Sequence, residues 1–469
     1  MLTPISFLAF TLLSIHQVLG WTTFVVPHNS SGGDDMPTLT AAFVSSNGTT
    51  RNLAVNSTII FKKGITYNFF SAIRLPVLQN VEIRIEGNMS YLEDIAALQA
   101  VVAAKGYPGA MMTFTGGTNV TLRGTTDPEW GWIDGHGQAW WDAMEQTNRP
   151  HGIWFHNING GIIRDMKIYK PVGWNYQTDG SSDVHVFGNT ILAKSDTDVG
   201  EGLIYQFEDL SRSSLFHSIR NDGIFLCSLP TVVQTDSIPS PGFNAQGTNQ
   251  LFENNYVVNG DDCVTVTNGA VNITFRDAYC EGSHGLSTTI ASSSNNSFAT
   301  GENFLFENKS GLYGARFKSS TGGPGLARNV TYRNIRFVDT VFPIYVTQNY
   351  FDQERSTRPV IPANPDPNNA THIEDFLFEN FSGTIRDIGP KEGSCISDPC
   401  WYFVANATGR EVVILDLYPS TATNVRTKNI VAKTESGGEV DVMCNTTDVT
   451  NDVGFICQDG AFIRTKAGI

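Results

Sequence analysis

The densest polar cluster in the chain is Asn259-Gly260-Asp261-Asp262-Cys263, followed by Gly282-Ser283-His284-Gly285 and then by Arg316-Phe317-Lys318. Two close carboxylates push one pKa upward, so one can hold a proton as an acid while its neighbour stays an ionised base. Hydrolysis of a glycosidic bond needs that pairing. Adjacent residues on a regular strand point to opposite faces, so Asp261 and Asp262 can serve one site only if the chain turns there, and Gly260 supplies the freedom. Arg316 and Lys318, two apart, project to one side of a strand and suit a substrate that carries carboxylates. Taken singly, each pattern is ordinary. Asn-Gly-Asp-Asp is a common turn, and Arg-x-Lys is frequent on exposed strands. Their order becomes informative only if the fold stacks them.

Asp261 and His284 are 23 residues apart, and His284 and Arg316 are 32. The rest of the chain repeats at a similar interval. Short segments of alternating apolar and polar residues, each closed by Asn, Asp or Gly, begin at Gly161, Val184, Gln250, Val271, Asn303 and Val330. They read as strands of four or five residues, with Ile273 and Phe275 inward and Asn272 and Thr274 outward. Successive units are spaced by 23, 21 and 27 residues (161 to 184, 250 to 271, 303 to 330). One strand in register per period of twenty-odd residues is the pattern of a stacked solenoid. An all-β, single-domain, right-handed parallel β-helix is expected, with an antiparallel sandwich as the alternative. Stacking places residues one period apart above one another, so the three motifs can share a face.

The interval from 184 to 250 is 66 residues. It contains a stretch of different texture, 198–235, bracketed by Thr197-Asp198 and Thr235-Asp236; without that stretch the interval returns to 28 residues. Trp21 to about Gly109 reads as an N-terminal cap with early strands, including Val81 to Ile85, and a helix over Ser90 to Lys105. Gln353 to Asn369 reads as a loop, and the residues after about Ala432 as closure of the other end.

Composition bounds what such a molecule can do. The chain has 469 residues, 16% charged and 41% hydrophobic, with a net charge of -15 at pH 7. That balance argues against a nucleic-acid partner, which needs a basic surface. Residues 1–20 read as a signal peptide with cleavage before Trp21, and no later apolar run is long enough to span a bilayer. Thirteen Asn-x-Ser/Thr sequons, at Asn29, Asn47, Asn56, Asn88, Asn119, Asn272, Asn295, Asn308, Asn329, Asn369, Asn380, Asn406 and Asn445, agree with a secreted glycoprotein. In that setting the cysteines should pair, and near neighbours suggest Cys263 with Cys280, Cys395 with Cys400, and Cys444 with Cys457. Cys227 is left over, inside the anomalous stretch. No Cys-x-x-Cys pair suggests zinc.

With these motifs the chain resembles glycoside hydrolase family 28, the polygalacturonases and their relatives. The family pattern is Asn-Thr-Asp, Asp-Asp-Cys, Gly-His-Gly, Arg-x-Lys. Asp261-Asp262-Cys263 and Arg316-Phe317-Lys318 match, and Gly282-Ser283-His284-Gly285 is similar to the form in exo-acting members. Ile133-Asp134-Gly135-His136-Gly137-Gln138-Ala139-Trp140-Trp141, Arg149-Pro150 and Pro343 to Tyr350 also look like family segments. The resemblance implies hydrolysis of α-1,4-galacturonosyl links of pectin with inversion. Asp261 matches the general acid and Asp262 a water-activating carboxylate. His284 would orient the acid, and Arg316 and Lys318 would hold a galacturonate carboxylate. A pectic polysaccharide is the expected partner of a monomeric, extracellular enzyme with no metal and no cofactor. The sequence departs from the pattern in one place. Asn-Thr-Asp-Gly-Phe should stand about twenty residues before Asp-Asp, and Gly242-Phe243-Asn244 stands there without the triplet. Asn221-Asp222-Gly223 and Asp236 are imperfect stand-ins. A retained intron around 198–241 would account for the lost triplet, the extra length and the odd cysteine together. The rival expectations are a non-catalytic pectin-binding homologue, a rhamnogalacturonan or xylogalacturonan hydrolase and, last, a calcium-dependent pectate lyase.

Overall fold

The computed structural model describes residues 20–43, 53–105, 109–196, 242–290, 299–307, 314–320, 322–350, 366–387, 408–444, 447–449, 451–457 and 463–465. The signal segment up to residue 19, the stretch 198–235 with Cys227, Asn221-Asp222-Gly223, Asp236, the pair Cys395 and Cys400, and the sequons at Asn47, Asn295, Asn308, Asn406 and Asn445 lie outside the described residues.

Up to the coil of Tyr279–Glu281 each repeat unit folds as three strands, one in each of three sheets; the later units add described strands to sheets A and C. After Ser181–Phe187 in sheet A come Thr190–Leu192 in sheet B and Phe243–Ala245 in sheet C. The next coil follows with Gly247–Glu253, Tyr256–Val258 and Asp262–Thr267. Every pairing between described strands is parallel except that of Val440–Met443 with Ile463–Thr465, which closes sheet C at its C-terminal end. That excludes the antiparallel sandwich. Parallel crossovers are right-handed, which gives a right-handed parallel β-helix.

The interior is filled by the inward residues of successive coils. Phe306, Tyr332 and Phe378 form a buried stack with ring centroids 4.4 and 5.3 Å apart. Ile273 and Phe275 are buried and Asn272 is exposed, as the alternation requires. The stretch expected as a cap is mostly coil. It supplies Thr22–Val25 to sheet A, Thr66–Asn68 to sheet B and Ile73–Leu75 to sheet C. The helix there is Ile95–Lys105, shorter than expected: Ser90 belongs to a strand of sheet B paired with Thr66–Asn68, and the Tyr91 N–H donates to the Asp134 carbonyl of the next coil at 3.0 Å. The expected loop begins outside the described residues and ends in a short 3-10 turn, Pro367–Asn369. No helix among the described residues is long and apolar enough to cross a membrane.

One feature recurs in every coil of sheet A. Asn56, Asn80, Asn119, Gly160, Asp183, Asn249, Asn272, Asn303, Asn329, Asp375 and Asn424 all have positive φ and occupy one column outside the strand pairing. Only Gly, Asn and Asp tolerate that conformation readily. The side chains hydrogen-bond along the column: the amide of Asn272 donates to Asn249 at 2.8 Å, and that of Asn249 to Asp183 at 3.1 Å.

The sheets run straight past the anomalous stretch, since Ser182 pairs with Thr248 and Tyr176 with Phe243. In the other coils the link from sheet B to sheet C runs from three residues, at 259–261 and 282–284, to the longer links 135–149 and 91–108; here it takes 193–242. Disulfides join Cys263 to Cys280 and Cys444 to Cys457.

Candidate active site

The two carboxylates sit where sheet B turns into sheet C. Residues 259–261 make the link, and Asp262 opens the strand Asp262–Thr267. Asp262 pairs with Gly285, but the register then shifts before Val264 pairs with Leu286. This irregularity breaks the strict alternation, so adjacent aspartates reach one site. The turn is fastened from both sides. The Asn259 amide donates to the Asp262 carbonyl at 3.0 Å, while the Ser283 hydroxyl and His284 N–H donate to the Asp261 carbonyl at 2.8 and 2.9 Å. Gly285 has φ +115, and a Cβ there would lie 2.6 Å from the Gly314 carbonyl oxygen. Cys263, bonded to Cys280 of the next coil, anchors the residue after the pair.

Asp262 is buried and saturated with donors. Its Oδ1 accepts from the Ser287 hydroxyl at 2.6 Å and from Arg316 Nη2; its Oδ2 accepts from Lys318 Nζ at 2.7 Å. Register puts these groups in reach, because Ser287 pairs with Arg316 and Thr289 with Lys318 on the two strands that follow. Burial alone would push the Asp262 carboxyl up. Lys318, Arg316 and His284 together outweigh it and hold the group well below the usual carboxylate range. Burial pushes the Lys318 ammonium down, and Asp262 only partly offsets this. For Arg316, Asp262 overcomes the cost of burial and raises the pKa. The expected uronate clamp is therefore already engaged, with both cations gathered on one internal carboxylate.

Asp261 is placed differently. Its side chain is 15% exposed against 4% for Asp262, and His284 Nδ1 lies 3.5 Å from its Oδ1, which also accepts the Asp262 N–H at 2.6 Å. Asp261, Asp262 and His284 offer three ligand atoms within 4.8 Å of one another, a spacing that suits a cation. The positive charges of Arg316 and Lys318 on Asp262 oppose such an ion. One carboxylate locked in its ionised form beside a second, more accessible one can divide base and acid work between them.

All five residues singled out from the sequence come together. Three others join them. Ser287 and Asn259 fix Asp262, and the Tyr350 ring lies 4.9 Å from Lys318 Nζ. Ser287 was within reach of the strand alternation, two residues beyond Gly285. Tyr350 belongs to a segment that carries the family pattern but has no residue chemistry of its own to flag it. Before Asp262, the strand Phe243–Ala245 presents Asn244 beside Thr265, so among the described residues it adds no carboxylate.

Comparison with known proteins shows the family. A sequence profile described as "Glycosyl hydrolases family 28" matches residues 54–396. "Probable exopolygalacturonase C" of Aspergillus fumigatus is 33% identical over 444 residues, covering 92% of this chain and 89% of that protein. The protein of the same name from Aspergillus oryzae is 32% identical over 488 residues, covering 98% and 99%. Among solved structures, the endo-xylogalacturonan hydrolase of Aspergillus tubingensis superposes with a TM-score of 0.65 at 21% identity, covering 94% of this chain and 99% of that one. That last likeness is one of fold.

Proposed function

The chain belongs to glycoside hydrolase family 28, and on that premise we propose that it is a secreted glycosidase that hydrolyses the α-1,4-galacturonosyl links of pectin, acting as an exo-enzyme with inversion. The observation that carries the assignment of roles is the environment of Asp262. Two cations and a hydroxyl hold this carboxylate toward its ionised form, which suits it poorly to the part of proton donor. Three of its roughly four acceptor positions are filled, and the remaining one on Oδ2 can take a proton from water. Asp261 is then the acid that protonates the leaving oxygen, with His284 beside it. A galacturonate carboxylate approaching Arg316 and Lys318 shares them with Asp262.

Spacing alone does not favour inversion. Inverting pairs usually stand about 6.5–9.5 Å apart, whereas the Asp261 and Asp262 oxygens here lie within 4.8 Å. The engagement of Asp262 by two cations lowers its nucleophilicity and its basicity alike, so the inverting role is carried over from the family. Proton NMR of the first product released should show the anomer opposite to that of the substrate, and the same anomer would refute inversion.

The family's further water-activating carboxylate belongs to the Asn-Thr-Asp-Gly-Phe segment. The reading takes residues 199–241 as foreign to the coil. Without them, Thr197-Asp198 would run directly into Gly242-Phe243, and the link 193–198 plus Gly242 would be one residue longer than the link at 170–175. Sequencing the mature message across this region tests the point, and an uninterrupted natural message through 199–241 would overturn it. The second reading, a pectin-binding homologue without catalysis, is favoured by the lack of a third carboxylate at the site among the described residues. Binding of polygalacturonate without release of reducing sugar would decide for it. Secretion predicts a mature extracellular protein whose first residue is Trp21.

A further inference from the structure

Trp154, Gln177, Asn244, Thr265, Ser287 and Arg316 are register partners on successive strands of sheet C. Their neighbours, such as Ile153, Phe243 and Val264, fill the core, so by alternation this row lies on the outer side of the sheet, buried from Asn244 to Arg316 and partly exposed at Gln177 and Trp154, continuous with the candidate active site. Arg316 is the charged member at the active-site end; every partner from Ser287 back to Trp154 is neutral, and the column runs on through Thr113 to Arg74 two strands beyond the indole. Trp154 lies three strands before the strand of Asp262, about 14 Å away at ordinary strand spacing. Its indole is fixed in place. Nε1 donates to Asp179 Oδ1, and His156 Nδ1 lies 2.7 Å from Oδ2 of the same carboxylate, with the two rings 5.3 Å apart. The ring is partly exposed on the outer face.

We propose that Trp154, held by Asp179, is a stacking subsite for an uncharged unit of the pectic chain, a methyl-esterified galacturonate, while the Arg316–Lys318 position takes an ionised one. A galacto-configured pyranose offers a face of contiguous C–H groups opposite its axial hydroxyl, which suits a rigid aromatic plane. The row between Trp154 and the catalytic pair offers no cation to an ionised carboxylate, and Asp179 beside the ring repels one. The hydrogen bonds to Asp179 fix the ring before binding, so little rotamer freedom is lost when a sugar lands on it. The inference rests on the pectin reading of the active site and names the substrate pattern that this site prefers, partly esterified chains.

Steady-state kinetics on oligogalacturonides of increasing length, unesterified and partly methyl-esterified, test it. In the wild type, KM should fall once the chain is long enough to reach Trp154, and fall further for the esterified series. Trp154→Ala should raise KM on long esterified chains roughly tenfold, with kcat and the shortest substrate unchanged. Trp154→Phe, which keeps a ring but loses the bond to Asp179, should give a smaller rise and covers the case in which the alanine variant does not fold. An equal loss on short and long chains, a change confined to kcat, or a wild-type preference for unesterified chains would overturn the proposal. Calorimetric titration of the Asp261→Asn protein with the long esterified oligomer, with and without Trp154→Ala, separates this proposal from the proposed hydrolysis. If no substrate is cleaved but binding weakens without Trp154, only the hydrolytic reading fails. If Trp154→Ala leaves binding unchanged, the subsite fails.

Discussion

Asp262 shows how one residue can serve stability and chemistry together. Its carboxylate is the common partner of Arg316, Lys318 and Ser287 in a buried setting. Removing one member of such a group leaves the others charged and unpaired, which typically costs about 3–5 kcal/mol. Asp262→Asn should therefore lower the urea midpoint strongly as well as abolish turnover. Asp261→Asn, at a less buried position with no cation directly on it, should abolish turnover and leave the midpoint near wild type. The pH dependence follows from the direction of the Asp262 shift. A carboxyl whose folded pKa is depressed contributes its full stabilisation above the unfolded value, about 4, and loses it as the pH falls from there toward the folded value. The stability gap between wild type and Asp262→Asn should be constant from pH 5 to 7 and narrow below pH 4. A gap that widens on acidification would contradict the ion-pair account. The sequence could show that Asp262, Arg316 and Lys318 are chemically matched. It could not show that the cations close on Asp262, because that depends on the register of a strand whose Arg316 and Lys318 stand 54 and 56 residues further along the chain.

At the scale of the element, the repeating strand is held by its backbone as much as by its alternation. The sequence reading found the period, the inward Ile273 and Phe275, and the terminal Asn, Asp or Gly of each unit. It did not find that Asn272 and its equivalents take positive φ, since an exposed Asn in an alternating strand looks like any outward polar residue. The column explains some of the sequons. Asn56, Asn119, Asn272 and Asn329 stand where the turn of the backbone demands Asn, Asp or Gly, so their presence does not by itself argue glycosylation. Asn249, in the same column but in no sequon, isolates the effect. Asn249→Ala should destabilise by about 1–2 kcal/mol from the left-handed backbone alone, and Asn249→Gly by less. Equal losses in chemical denaturation would mean that the side-chain hydrogen bonds, not the backbone, matter most.

For the whole molecule, the solenoid makes the insertion visible. The flanking coils stack on one another as though the intervening residues were absent, and the sequence period pointed to the same surplus. The sequence reading placed its edges by the Thr-Asp repeats. The proposed edges 199–241 join Asp198 to Gly242 and so restore a Thr-Asp-Gly-Phe run. A chain lacking 199–241 should melt no lower than the full chain and hydrolyse polygalacturonate faster, since general-base assistance is worth about 10²–10⁴-fold. Lower thermal stability in the shortened chain would mean that the segment is part of the fold. The most direct test of the central claim is release of reducing galacturonic acid from polygalacturonate by the protein and by its Asp261→Asn variant, with matched circular dichroism. The account predicts release by the first and at least about a hundredfold less by the second. Equal release by both, or binding with no release by either, would contradict it.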